Sequence, residues 1–229
     1  MTKNLMFSIL LICLMTGFSF GKTKLGDFDV FVTLSLPTGD FGDDKAEGDG
    51  YASTGFGAGV NYTHPIGSPG LTWYSTAAFL YNGFDDKVYT ELAQQQLTNV
   101  NVDAGSWINI PILTGLKYET EVSPTMDFFV LGQVGLDFYM PPGADYSGQE
   151  GGQKVSGEVS IDSGTSFGFA LGAGLVFNGK YNVSLRYLSL GEPELEPTVT
   201  YPGGSQTLTG QDTSIGVILL TVGLNLNML

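Results

Sequence analysis

The only histidine of the chain, His64, is the first residue whose type could support catalysis. A Ser-His-acid triad needs a histidine to accept the serine proton, so any such triad here would have to use His64. His64 lies directly before residues 65–70, a segment with two prolines and two glycines that predicts a short turn. A polar side chain beside a turn is more often structural than catalytic, and we expect that role for His64.

Carboxylates are concentrated in one segment near the N-terminal side of the chain. The cluster consists of Asp40, Asp43, Asp44, Glu47 and Asp49. Oxygen-rich clusters can bind Ca²⁺, but the spacing differs from an EF-hand loop because Lys45 occupies a ligand position. We expect a solvated acidic loop, with cation binding as the alternative.

The segments that must position these residues alternate apolar and polar side chains. A period of two residues is typical of a β-strand with one apolar face. In the first of them Phe28, Val30 and Val32 are apolar, and intervening residues such as Asp29 are polar. Eight segments show this pattern: residues 28–36, 54–63, 71–82, 107–118, 126–139, 165–177, 181–187 and 214–228. The sequence therefore predicts an all-β protein of eight strands.

The links between these strands alternate in length. Long links follow the odd-numbered strands, and short turns follow the even-numbered ones at residues 65–70, 119–125 and 178–179. This rhythm predicts an antiparallel up-and-down sheet with long loops at one end and tight turns at the other, as in membrane-spanning barrels. Within the second long link, residues 91–97 could form one or two helical turns.

The polar face of the strands indicates which side of the barrel points outward. A soluble, lipocalin-like barrel would expose that face to water and carry many Lys and Glu residues on it. Here the face consists mainly of Gly, Ser, Thr and Asn, small residues that suit the narrow interior of eight strands. We therefore predict an eight-stranded antiparallel up-and-down transmembrane β-barrel whose apolar face contacts hydrocarbon.

Few charges remain on the predicted inner face. They are Asp29, Lys117, Asp127, Asp137 and Arg186. Pairing across the turn at residues 119–125 predicts Lys117 opposite Asp127, and the next hairpin predicts Arg186 opposite Gly172. Buried charges are expected to pair, which favours a plug of salt bridges. The alternative is a polar lining for a narrow pore.

The N-terminal residues have the form of a secretory signal peptide. Lys3 precedes an apolar run, and small residues stand before a cleavage site after Gly21. We expect residues 1–21 to be a leader and residues 22–229 to be one barrel domain with four long extracellular loops. The only cysteine, Cys13, lies in this leader, so the predicted mature chain has no disulfide. The net charge of −14 argues against nucleic-acid binding.

Three segments resemble the small outer-membrane β-barrels of the OmpA-like and OmpX-like porin family. They are Trp107-Ile-Asn-Ile-Pro-Ile-Leu-Thr-Gly-Leu-Lys-Tyr118, Tyr181-Asn-Val-Ser-Leu-Arg-Tyr187 and the alternating final strand, which ends Met228-Leu229 rather than in an aromatic residue. The resemblance implies location in the outer membrane of a Gram-negative bacterium. It also implies contact with lipid and lipopolysaccharide, and insertion by the barrel assembly machinery.

These observations favour a non-enzymatic barrel that presents acidic loops at the cell surface, for envelope integrity, adhesion or surface binding. A narrow channel for small solutes is the alternative, and an envelope-lipid-modifying enzyme is a third possibility. No phosphate-binding loop, dinucleotide fingerprint or zinc motif is present, so no cofactor is expected.

Overall fold

The computed structural model describes residues 26–43, 49–94 and 97–228. The predicted signal peptide, residues 1–21, lies outside these ranges, as do Asp44 and Glu47 of the acidic cluster.

The described chain consists almost entirely of strands with one α-helix. In chain order the elements are β1 (Asp27–Thr38), β2 (Ala52–Pro65), β3 (Leu71–Phe84), α1 (Lys87–Gln94), β4 (Thr98–Ala104), β5 (Trp107–Ser123), β6 (Met126–Met140), β7 (Ala144–Glu150), β8 (Gln153–Ser160), β9 (Gly164–Phe177), β10 (Tyr181–Ser189), β11 (Glu194–Leu195), β12 (Thr198–Tyr201), β13 (Gly204–Thr207), β14 (Gln211–Asp212) and β15 (Gly216–Asn225). Among the described residues, no helix has the length and apolar character needed to cross a membrane.

Eight of the strands close into an antiparallel barrel in the order β1-β15-β10-β9-β6-β5-β3-β2. Closure pairs β1 with β15, so neither terminal strand leaves an unpaired edge. The row of paired residues that starts at Val130 on β6 runs once round the barrel and returns to β6 at Met140, ten residues further on. A stagger of this kind tilts the strands by about 35–45° from the barrel axis.

The apolar face of the strands lies outside, as predicted. Val32 is 63% exposed, Leu220 is 47% exposed and Phe169 is 40% exposed. Their polar neighbours point inward, and Thr33 and Thr221 are buried and hydrogen-bonded to each other across the β1–β15 pair. The predicted fold class is therefore confirmed, because a soluble barrel would bury the apolar set instead.

One predicted turn is wrong. The sequence placed it at residues 119–125, but β5 continues to Ser123 and only residues 124–125 form the turn. The longer strand pairs Lys117 with Leu131 and Glu121 with Asp127, so the predicted pairing of Lys117 with Asp127 is also wrong. Polar residues at the end of β5 hid the strand, because the alternation that identified it is lost there. The predicted pairing of Arg186 with Gly172 is confirmed.

The long links fold into a second sheet that the sequence analysis missed. Five strands from three of these links pair in the order β13-β12-β8-β7-β4, beyond the long-loop end of the barrel. The β7–β8 hairpin turns at Gly151 and Gly152, whose φ angles of 56° and 85° suit a two-residue hairpin turn. The helical turns predicted at residues 91–97 are confirmed for residues 91–94, since the helix runs over Lys87–Gln94 beside β4, and residues 95–96 lie outside the described residues. We call β4, β7, β8, β12 and β13 the protruding sheet.

Candidate functional site

A buried arginine occupies the middle of the barrel interior. Arg186 is 2% exposed, and the neighbouring strand leaves room for it at Gly172, where an added Cβ would lie 2.9 Å from the arginine side chain. Its guanidinium donates hydrogen bonds to the Tyr74 hydroxyl at 2.8 Å and to Asn61 Oδ1 at 3.4 Å. It also lies 5.4 Å from the ring centre of Phe31. In the described part of the chain, no carboxylate lies within 4 Å of the guanidinium. Neutral oxygens and aromatic faces therefore stabilise this cation.

Lys117 lies nearer the short-turn end and is 8% exposed. Its ammonium group contacts the carboxylate of Glu119 at 2.6 Å, two residues along the same strand. It also lies 4.9 Å from the ring centre of Phe129 and 5.5 Å from that of Tyr74. Lys117 is therefore held by its own strand and by two aromatic rings.

Lys117 also lines a cavity of about 270 Å³ that occupies the short-turn end of the barrel interior. Tyr74 and Phe129 line its inner part, and the turn residue Lys180 lies at its outer part. The other polar residues of its wall are Asp27, Asp29, Thr63, Thr72, Lys117, Glu119, Asn182 and Asn225. We call this cavity the vestibule.

The remaining two inward charges lie apart from this group. Asp137 is fully buried and lies six residues further along β6 than Leu131, the partner of Lys117. Neither of its carboxylate oxygens has a hydrogen-bond partner of normal geometry among the described residues. Asp127 is half-buried near the start of β6, where it pairs with Glu121. The structure thus brings Asp29 and Lys117 to one cavity and leaves Asp127 and Asp137 apart from it, and the functional role of these charges stays a prediction.

Apolar side chains fill the lumen towards the long-loop end. Leu80, Leu113 and Leu219 are buried together there in one continuous cluster. Above them Trp107 packs edge-on against Phe41 at 5.2 Å, and its indole N–H donates to the Gly50 carbonyl oxygen at 2.8 Å. The first long link therefore reaches over the barrel and covers the interior.

The described members of the acidic loop cluster lie at the ends of this link. The backbone carbonyl oxygens of Asp40 and Asp43 accept hydrogen bonds from Gly50 and Tyr51. Asp49 is the third described member, and Asp44 and Glu47 lie outside the described residues. In the described part of the chain, no group of three or more Asp, Glu, His or Cys side chains could hold a metal ion. Cation binding by this loop stays a prediction.

The protruding sheet brings together a different set of acids, which sequence reasoning missed. Asp103 pairs with Asp145, and Asp145 pairs with Glu158, so three carboxylates stand side by side on adjacent strands. All three are exposed and line a depression of about 350 Å³. Like charges directly opposite each other destabilise a sheet. The alternation in residues 153–160 and the Gly-Gly turn could have identified this sheet. The register that places the three acids opposite one another is seen only in the structure.

His64 lies at the end of β2, opposite Trp73 and stacked on Tyr62 with ring centres 6.3 Å apart. Tyr62 in turn packs against Phe28 at 5.0 Å. These rings form part of an outward-facing aromatic group at the short-turn end, typical of a membrane–water interface. At the same end, Phe177 and Tyr181 are directly paired across the β9–β10 turn.

One ion pair lies outside the barrel, where β3 meets α1. Asp85 accepts a hydrogen bond from the Lys87 ammonium at 2.9 Å and another from the Lys87 backbone N–H at 3.1 Å. The hydrogen bond from the Lys87 side chain, together with that from its backbone, holds the pKa of the Asp85 carboxyl below its ordinary value. This pair helps to begin the helix.

Comparisons with known proteins give no match to a family model and none to a curated protein sequence. Solved structures do match. A major outer membrane protein from Thermus thermophilus is 10% identical, with a TM-score of 0.52, and the match covers 87% of this chain and 98% of that one.

Two further structures give lower scores. Ail, the attachment invasion locus protein of Yersinia pestis, is 16% identical with a TM-score of 0.41, covering 87% of this chain and 97% of that one. The outer membrane protein OprG from Pseudomonas aeruginosa is 12% identical with a TM-score of 0.44, covering 88% and 96%. At these identities the likeness concerns the fold alone. The chain has the closed eight-stranded fold of the small outer-membrane β-barrels.

Proposed function

We propose that this protein is a non-enzymatic outer-membrane barrel that uses its protruding sheet to contact molecules at the cell surface. The observation that carries the proposal is the sheet itself. Three separate links fold together into five paired strands, which is more order than a connection between strands requires. The short-turn end faces the periplasm, and the protruding sheet faces outward, as in barrels with unlike ends.

The exposed acids on the sheet indicate a cationic partner surface. Asp103, Asp145 and Glu158 repel one another in the free protein, and a partner carrying positive charge relieves that repulsion. The outer strand β13 adds a second contact surface, because all four of its residues are exposed and one of its edges is unpaired.

The filled interior argues against the channel alternative. The buried cluster around Leu80, Leu113 and Leu219 occupies the lumen, and Trp107 with Phe41 covers it. A continuous water path would have to displace these apolar side chains. We therefore expect the purified protein to show no ion conductance in planar bilayers. Discrete openings that respond to Arg186→Ala would instead support the channel alternative.

The contact role is tested by cell adhesion. Cells that display the wild-type protein should be retained on poly-lysine surfaces better than cells that lack it. Replacing Asp103 and Asp145 by Asn and Glu158 by Gln should abolish the gain. A matched control replaces Glu192, Glu194 and Glu196 by Gln, which removes the same charge from exposed positions off the protruding sheet. Equal loss in both variants would contradict the proposal.

A further inference from the structure

The vestibule has opposite charges on different walls. Asp27 and Asp29 project from β1, whereas Lys117 projects from β5, with β2 and β3 lying between these strands. Among the described residues, Asp29 forms no ion pair within 4 Å, although it is 7% exposed. A buried carboxylate without such a partner is costly unless something else satisfies it.

A second buried acceptor lines the same cavity. Asn182 is 7% exposed, and its Oδ1 atom has no hydrogen-bond partner among the described residues. Gly223 makes room for this amide, since a Cβ at that position would lie 2.5 Å from Asn182 Nδ2. Asp29 and Asn182 are thus two acceptors, both over nine-tenths buried, on nearby walls of one cavity. Together they call for a ligand that donates hydrogen bonds, such as a primary ammonium group.

The opposite wall provides a donor. Lys117 directs an ammonium group at the cavity and uses Glu119 as its carboxylate partner. Tyr74 and Phe129 supply aromatic surface between the two walls. A ligand that reaches both walls therefore carries a positive group at one end, a negative group at the other and a short apolar link.

We infer that the vestibule binds a small zwitterion with a primary ammonium group and a carboxylate separated by a short aliphatic chain. The ammonium contacts Asp29 and Asn182 Oδ1, and the carboxylate contacts Lys117. A volume of about 270 Å³ accommodates such a molecule. The site is closed on its inner side by Tyr74 and Arg186, so it is a binding site and not a path across the membrane. This inference does not depend on the proposed contact role of the protruding sheet.

The test measures, by calorimetry, the binding of a series of small molecules to the full chain refolded in detergent micelles. The probes are glycine, β-alanine, γ-aminobutyrate and ε-aminocaproate, with butylamine and butyrate as single-charge analogues. We expect one of the zwitterions to bind roughly tenfold or more tightly than either single-charge analogue, since each end gains a charge-assisted hydrogen bond. The inference would be overturned if none of the four zwitterions bound, or if butylamine bound as tightly as the best zwitterion.

Variants assign the two ends of the ligand. Asp29→Asn keeps the shape of the side chain. It should weaken binding of the best zwitterion roughly tenfold without weakening binding of butyrate. Glu119→Gln should have the opposite effect, because it frees Lys117 for the ligand carboxylate and tightens binding. Asp127→Asn is the matched control, since Asp127 lies near the same end but does not line the vestibule. Equal weakening by Asp29→Asn and Asp127→Asn, or no tightening by Glu119→Gln, would count against the site.

Discussion

The barrel and the protruding sheet are both antiparallel sheets, yet they meet opposite demands. The barrel places large apolar side chains outside and closes every edge, as Val32 and the β1–β15 pair show. The protruding sheet exposes polar and acidic side chains and leaves β13 and β4 at its edges. The difference shows that lipid dictates the first sheet and water the second, while the packed rings of Trp107 and Phe41 close the long-loop end of the barrel.

The largest expected effect comes from breaking the contact between Trp107 and Phe41. Trp107→Ala removes a buried indole and its hydrogen bond to Gly50, and we expect a loss of about 3–5 kcal/mol in the free energy of unfolding. Denaturant unfolding of the protein in lipid vesicles measures this loss. The control is Trp73→Ala, which removes a lipid-facing indole that is 44% exposed and should cost less. Equal losses would mean that the interior is not packed as described.

A charge on the outer face of the barrel should have a slightly smaller effect. Leu220→Arg places a cation in mid-strand on the lipid side, and we expect a cost of about 2–4 kcal/mol. Val122→Arg places the same cation near the end of β5, where the cost falls to about 0–1 kcal/mol. Vesicle unfolding of both variants compares the two depths. A tolerated Leu220→Arg would contradict the outward assignment of the apolar face.

Substitutions of turn glycines should show whether the two sheets unfold independently. Gly151→Ala forces a Cβ into the left-handed region at φ 56° with open space around it, so backbone strain of about 1–2 kcal/mol is the main cost. Gly67→Ala imposes the same strain at φ 65° in a barrel turn. We expect the first variant to reduce amide hydrogen-exchange protection in β7 and β8 only. The second should affect β2 and β3 only. Loss of protection in both sheets in either variant would show that they unfold as one unit.

The smallest effect concerns the Asp85–Lys87 pair. Because the Asp85 pKa is lowered in the folded protein, its stabilisation is present above the unfolded value of about 3.9 and is lost as the pH falls through the folded pKa. Asp85→Asn should remove this pH dependence and cost less than about 1 kcal/mol, since the pair lies at the surface. Hydrogen exchange of α1 between pH 2 and pH 6 measures it, and an unchanged profile in the variant would contradict this assignment.

Sequence alone predicted the barrel well because lipid enforces alternation over whole strands, and the register of β9 with β10 followed from one tight turn. It gave Lys117 the wrong partner because the end of β5 is polar and lacks the alternation that identifies a strand. The acids Asp103, Asp145 and Glu158 come from two of the long links, and only pairing between these links brings all three together. The vestibule could not be predicted either, because Asp29 and Asn182 share a cavity through strand tilt and closure.

The outward orientation of the apolar face is tested most directly by the two native tryptophans, one on each side of the barrel wall. Single-tryptophan variants, Trp107→Phe and Trp73→Phe, are reconstituted in vesicles that contain brominated lipids. Trp73, exposed on the outer face, should be strongly quenched, and Trp107, 2% exposed inside, should not be. Quenching of Trp107 together with an unquenched Trp73 would contradict the whole assignment.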